Sequence, residues 1–198
     1  MKLIVFDFSK LNIDDLFQSS LLDSDDKYRI SKIVSEKVRL ENTVSTILKN
    51  KYIGNYYLNE HGKPLSDSLC FNIAHSHGLI VLGIDESPLG VDLEKIREYR
   101  SDLKSYISNE DEFKYINSDK SFFEIWTAKE ALVKVDGSGI NLNVKSIPAL
   151  PLYGERKFRD KTYFCKHIEY KDFVISIARL GGKDYKIDIE ELKIEDLL

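Results

Sequence analysis

Cysteine is scarce in this chain: Cys70 and Cys165 are the only two among 198 residues. A disulfide framework is therefore not expected, nothing in the sequence pairs the two thiols, and a reduced cytoplasmic setting is the default expectation. Long apolar runs are missing as well. None approaches the ~18 residues of a membrane span, so no transmembrane segment and no membrane partner are expected. The N-terminus, Met1-Lys2-Leu3-Ile4-Val5-Phe6-Asp7, meets Asp7 too early to be a signal-peptide core. An excess of base is also missing. With 29 Lys and Arg against 33 Asp and Glu, the net charge is −4, which gives no overall pull toward nucleic acid; any anion must be held by a local cluster of bases. No Cys or His spacing fits a zinc site. What remains is an ordinary globular composition, 42% apolar and 31% charged, in a chain long enough to bury a core as one large domain or two small halves.

Residues 2–8 read as a strand. Asp23-Ser24-Asp25-Asp26 offers helix N-caps for a helix over about 25–38. A second helix follows, with Leu40, Val44, Ile47, Leu48 and Tyr52 on one stripe. Gly62-Lys63-Pro64 forces a turn. Three apolar runs, 69–75, 79–85 and 89–94, break at His77-Gly78 and Ser87-Pro88 and predict an antiparallel meander. Residues 95–104 are mostly charged and read as a connector or an exposed helix. Asn109 caps a helix over 110–117, and Ser118 or Asp119 one over 120–135, which Gly137-Ser138-Gly139 ends. Strand-like runs at 162–168, 172–179 and 185–189 close the chain. Helices followed by a three-run meander recur in each half. The order predicts an α+β chain of two similar halves, 1–97 and 98–198, related by a pseudo-twofold, with the site in the cleft between them.

Two stretches carry the chemistry. In Gly90-Val91-Asp92-Leu93-Glu94 two carboxylates at i and i+2 share one face of an apolar strand. In Trp126-Thr127-Ala128-Lys129-Glu130-Ala131-Leu132-Val133-Lys134 a third carboxylate and two ammonium groups lie on a helix. Three carboxylates can hold one hard divalent cation, and flanking lysines suit a polyphosphate bound to it. Each stretch also has a plain structural reading. Glu130 and Lys134 fit a solvated i,i+4 pair, worth about 0.3–0.5 kcal/mol, and Asp92 with Glu94 fits the polar face of an edge strand. Neither accounts for Lys129, which projects into the apolar stripe of Phe122, Ile125, Ala128, Leu132 and Val135 and needs a partner there or must snorkel out. In Phe71-Asn72-Ile73-Ala74-His75-Ser76-His77, His75 and Ser76 fall where a strand ends; a strand-end histidine is structural by default, and a phosphate ligand if an anion site adjoins it. Lys27, Arg29, Lys32, Lys37 and Arg39 form either a solvated basic face or a cradle for a further phosphate. His61 and His167 have no evident partners and read as surface residues.

Together these segments resemble the 4′-phosphopantetheinyl transferase superfamily, of the surfactin-synthetase-activating, two-half type. Gly62-Lys63-Pro64, Phe71 to Ser76, Gly90 to Glu94 and Trp126 to Lys134 match that family's motifs in order and spacing over about residues 25–140; the last third matches only in general character. The resemblance implies transfer of the 4′-phosphopantetheine arm of coenzyme A to a serine of an apo carrier protein, with release of 3′,5′-ADP. It implies that Asp92, Glu94 and Glu130 hold magnesium, with manganese an acceptable substitute, and that Glu130 also activates the serine. Lys134 would stabilise the leaving phosphate, Lys129, His75 and Ser76 would hold phosphates, Lys63 and Pro64 would line an adenine pocket, and Lys27, Lys32 and Arg39 would meet the 3′-phosphate. The two-half length implies a monomer rather than the trimeric single-half synthases. Ala74 departs from the family's usual serine. Peptide, polyketide and fatty-acid carriers all fit as partner. Two other readings stand beside this one: a non-catalytic binder of coenzyme A or magnesium-nucleotide acting as a regulatory subunit, and a magnesium-dependent phosphohydrolase using the same acids.

Overall fold

The computed structural model describes residues 1–59, 62–137 and 143–198. The N-terminal elements are β1 (Lys2–Asp7), α1 (Ile13–Phe17), α2 (Ser24–Ser31), α3 (Glu36–Tyr52), the short strands β2 (Tyr57–Leu58) and β3 (Pro64–Leu65), β4 (Cys70–Ser76) and β5 (Leu79–Asp85). Then come β6 (Leu89–Lys95), α4 (Ser101–Ile107), α5 (Glu110–Tyr115), α6 (Asp119–Asp136), β7 (Gly154–Phe158), β8 (Lys161–Tyr170), β9 (Phe173–Leu180) and β10 (Asp188–Leu192). The class is α+β, as the sequence predicts.

The main strands form two four-stranded sheets, ordered β10-β1-β5-β4 and β6-β9-β8-β7. They stack face to face. Leu3 and Val5 of β1 and Leu79 and Val81 of β5 meet Leu89, Val91 and Leu93 of β6 and Phe173, Ile175 and Ile177 of β9 in one buried cluster. The opposite face of the first sheet, with Ile4, Phe6, Ile80 and Leu82, is covered by α3 through Val44, Ile47 and Leu48. The opposite face of the second is covered by α6 through Phe122, Ile125, Ala128 and Leu132. The order of layers is helix, sheet, sheet, helix. Inner strands buried on both faces read as unbroken apolar runs, which is how β5 and β9 look in the sequence.

Strand pairing departs from the expected meander. β4 and β5 pair antiparallel, but β6 leaves them and pairs with β9 across the sandwich. β10 begins three residues after the expected 185 and returns to pair parallel with β1. The two sheets therefore do not divide at residue 97: the strand bearing Asp92 and Glu94 is an edge of the second sheet, and the chain's last strand an edge of the first. The helix expected over 25–38 is two helices. Lys32 ends α2, and Ser35, with its side chain accepting from Val38 N–H, opens α3. β7 is absent from the sequence reading because Gly-Glu-Arg-Lys-Phe is dense in charge, a composition that edge strands tolerate.

Helix α6 starts and stops where its caps dictate. Ser118 accepts from Ser121 N–H, and Gly137, at φ 79°, takes the left-handed conformation at the other end. Ser138 and Gly139, also named as stop signals, lie outside the described residues, as does His61.

Candidate active site

The site is built where β6 meets α6 and β4. Along β6 the side chains alternate: Val91 and Leu93 enter the core between the sheets, so Asp92 and Glu94 turn to the face that carries α6. Gly90 sets how close the two elements come. A Cβ there would lie 2.1 Å from the Ala131 carbonyl and 2.6 Å from the Val135 nitrogen, so only glycine lets the strand rest against the helix backbone. The contact brings Lys134 onto β6, and its Nζ donates to Asp92 Oδ1 at 2.7 Å and to the Val91 carbonyl at 3.1 Å. Lys134 thus pairs with Asp92, not with Glu130 one turn before it.

β6 is an edge strand, and side chains of β4 satisfy its free flank. Asn72 Oδ1 accepts from Val91 N–H at 2.9 Å, and Ser76 Oγ donates to Glu94 Oε2 at 2.8 Å. Arg97 Nη1 adds a further bond to Glu94 Oε2, at 2.9 Å. Neither Asn72 nor Arg97 was given a role from sequence, although an asparagine inside a strand is a signal in itself.

Three carboxylates share this region, and burial and mutual repulsion show in their protonation. Asp92 is buried and not surface-facing; desolvation pushes its carboxyl up to about 6, the Lys134 ammonium opposes the shift, and Glu130 and Glu94 reinforce it. Glu130 is raised too, by desolvation first, with Lys134 opposing and Glu94 adding. Among the described residues no three His, Cys, Asp or Glu side chains already converge as a metal cage: Asp92 is turned to Lys134, and Glu94 to Ser76 and Arg97. An apolar groove of about 460 Å³ opens beside Glu94 and is floored by Phe122, Phe123 and Trp126 of α6.

Lys129 requires a correction. It lies at 1% exposure, and its Nζ sits 2.7 Å from Glu112 Oε2, donating also to the carbonyls of Val144 (3.0 Å) and Ile147 (2.6 Å). Glu112 is equally buried and accepts from the backbone N–H groups of Asn109 and Ala149. The partner that the apolar stripe demands is a protein carboxylate on α5, so the ammonium is not free to hold a phosphate. His167 is a second correction. Its side chain is 11% exposed, with Nδ1 3.2 Å from Ser176 Oγ and Nε2 3.5 Å from Glu124; it is an interior residue, not a surface one.

The remaining residues scatter around the site. Lys63 donates from Nζ to the Lys134 carbonyl at 2.8 Å, capping the end of α6, and burial pulls its ammonium pKa down. Lys63 and Pro64 line a small cavity with Leu65, Phe71 and Val135. His75, at the end of β4, places Nδ1 3.7 Å from Glu41 of α3. Lys32 lies exposed over the Tyr28 ring, at 4.5 Å, and Lys27 is half-buried on α2. Arg39 lines a pocket with Ile13, Asp14, Phe17 and Ser31, and its buried Nε has no hydrogen-bond partner among the described residues.

Residues 88–191 match the family model of the 4′-phosphopantetheinyl transferase superfamily. The chain belongs to that superfamily. The matched span contains β6 and α6, hence Asp92, Glu94, Glu130 and Lys134; Lys63, His75 and Ser76 precede it. Relatives include the 4′-phosphopantetheinyl transferase gsp of Aneurinibacillus migulanus, 28% identical over 70% of this chain and 64% of its own length. The transferase psf-1 of Bacillus pumilus is 31% identical over 45% of this chain and 42% of its own. The transferase Sfp of Bacillus subtilis strain 168 is 30% identical over 44% and 43%. The chain thus spans less than two thirds of the length of these superfamily members. No helix among the described residues is long and apolar enough to cross a membrane.

Proposed function

We propose that the chain transfers the 4′-phosphopantetheine moiety of coenzyme A to a serine of an apo carrier protein, releasing 3′,5′-ADP. The meeting of Asp92 and Glu94 with Glu130 and Lys134 supports this reading most strongly. Two acids on an edge strand and an acid with a base on a helix are placed on facing surfaces by the Gly90 contact, with Lys134 reaching Asp92, inside the segment that matches the family.

Asp92, Glu94 and Glu130 would hold magnesium. Their chemistry fits the ion: carboxylate oxygens are the donors a hard cation takes, Asp92 is raised in part by Glu130 and Glu94 and Glu130 in part by Glu94, and a cation would relieve that repulsion. Bound there, magnesium supplies charge neutralisation to the diphosphate. The chain's own residues do the rest. Glu130, half-buried and held above the ordinary glutamate range, accepts the proton of the attacking serine hydroxyl, directly or through water. The serine oxygen then bonds to the phosphorus nearer the pantetheine, and the bond to the adenosine-side phosphate breaks. Lys134 neutralises the charge that develops on that leaving phosphate. Ser76 and Arg97 hold Glu94 in place, and Lys63 and Pro64 border the cavity assigned to adenine. In this reading the protein works as a monomer with its two thiols free.

Intact-mass measurement of peptide, polyketide and fatty-acid apo carriers, incubated with coenzyme A and magnesium, tests the reading. A gain of one phosphopantetheine on serine is expected. Binding of coenzyme A with no gain on any carrier favours the regulatory subunit, and phosphate release without a carrier favours the hydrolase.

A further inference from the structure

Glu41 is a carboxylate with no part in the reaction described above. Its side chain, on α3, is only 12% exposed. One oxygen, Oε1, lies 3.7 Å from His75 Nδ1 and 3.9 Å from Lys37 Nζ. His75 is 42% exposed at its side chain, so the ring has one edge against the protein and another toward solvent. The charged groups acting on it come from two elements: Glu41 and Lys37 from α3, and Lys134 from α6. Its own strand supplies Phe71 and Ile73 on that face, both apolar, while Ser76 turns away to Glu94. Two ammonium groups therefore act on His75, with Glu41 as the carboxylate among the groups acting on it. Such a neighbourhood attracts an anion, and Lys134 belongs to the site assigned to phosphate.

We propose that Glu41 is a positioning residue, which engages His75 at Nδ1 and so aims the opposite nitrogen, Nε2, at a phosphate of coenzyme A. The inference rests on the reading of the site as a coenzyme A site. A carboxylate behind an imidazole fixes the ring's orientation and tautomer, as carboxylates do behind metal-bound histidines. When the phosphate binds, the ring takes one proton from solvent; Nδ1–H then points at Glu41 and Nε2–H at the phosphate. Desolvation and the two ammonium groups oppose that proton, and Glu41 favours it. No bond other than N–H changes.

Calorimetric titration of coenzyme A and 3′,5′-ADP into wild-type protein, Glu41→Gln, His75→Ala and the double variant tests this. Near pH 7.5, Glu41→Gln should raise the Kd by about five- to tenfold, the scale of one weakened charge-assisted hydrogen bond. Near pH 6, where the ring protonates more readily, the deficit should shrink. In the His75→Ala background, Glu41→Gln should weaken binding no further. Glu41→Asp, which keeps the charge on a shorter arm, should fall between wild type and Gln. The proposal is overturned if Glu41→Gln binds as tightly as wild type or tighter, or if its deficit persists without His75. Failure of the wild-type protein to bind coenzyme A would instead overturn the reading of the site on which it rests. Titration with 3′-dephospho-coenzyme A assigns the phosphate: loss of the Glu41 effect with that ligand marks the 3′-phosphate, and retention marks the diphosphate.

Discussion

Lys129 and Glu130 are neighbours in the chain, about 100° apart around the same helix, and they belong to two different charge systems. On one side, Lys129 is sealed with Glu112; the ammonium also donates to the Val144 and Ile147 carbonyls, and the carboxylate accepts from the Asn109 and Ala149 N–H groups. On the other, Glu130 and Lys134 stand with Asp92 and Glu94, where three carboxylates have two cations, Lys134 and Arg97, and two of the carboxylates are pushed upward in pKa. The first system is fully satisfied within the protein and has no capacity for a ligand. The second is left electrostatically unfavourable, which is what a site awaiting a cation and an anion looks like. One family motif thus carries a structural residue beside the one to which the proposed function assigns the chemistry.

The largest effect expected from breaking this contrast is on stability. Lys129→Met leaves Glu112 buried without its counter-charge and should cost about 3–5 kcal/mol, or a Tm loss on the order of 10 °C, with or without coenzyme A. Removing the charge from both partners, as Lys129→Met with Glu112→Gln, should recover much of that loss, because the neutral pair leaves no bare charge. Thermal melts of the two variants check both statements. Next comes Glu130→Gln, which should lower the transfer rate by about a hundredfold or more while circular dichroism shows an unchanged fold.

A subtler expectation concerns pH. The Asp92 carboxyl ionises near 6 in the folded protein against 3.8 as its ordinary value. A raised carboxyl favours the protonated folded state, so its ionisation removes stability as pH rises from about 4 to about 6 and the penalty is constant above that. At the proposed magnesium site only ionised carboxylates take the ion, so a stabilising shift in Tm on adding magnesium should be larger at pH 7.5 than at pH 5. An equal shift at both values would place the ion elsewhere. The smallest effect belongs to Arg97→Ala, which frees Glu94 from one partly exposed pair and should change stability by under ~1 kcal/mol.

Much of this was legible in the sequence, and what was not has a common cause. Ser118, Gly137 and the apolar stripe of α6 announce that helix, and the i,i+2 acids of β6 announce their shared face, because caps and periodicity are local. Pairing is not local. That β6 joins β9 rather than β5, and that β10 returns to β1, depends on which faces bury best together. The apolar stripe shows that Lys129 needs a partner or must snorkel out; it does not show that it pairs with Glu112, seventeen residues upstream, rather than with a phosphate. In the same way Glu130 and Lys134 satisfy the i,i+4 rule, yet Lys134 is drawn across to Asp92 by the close approach that Gly90 permits.

The most direct measurement sets Lys129→Met and Glu130→Gln side by side, each scored for ligand-free Tm and for phosphopantetheine transferred per folded molecule, read by intact mass. The account predicts opposite patterns: Lys129→Met melts early but transfers at a rate near wild type once folded, and Glu130→Gln melts at or above the wild-type temperature and transfers almost nothing. A stable Lys129→Met without activity, or a Glu130→Gln that retains wild-type turnover, would contradict it.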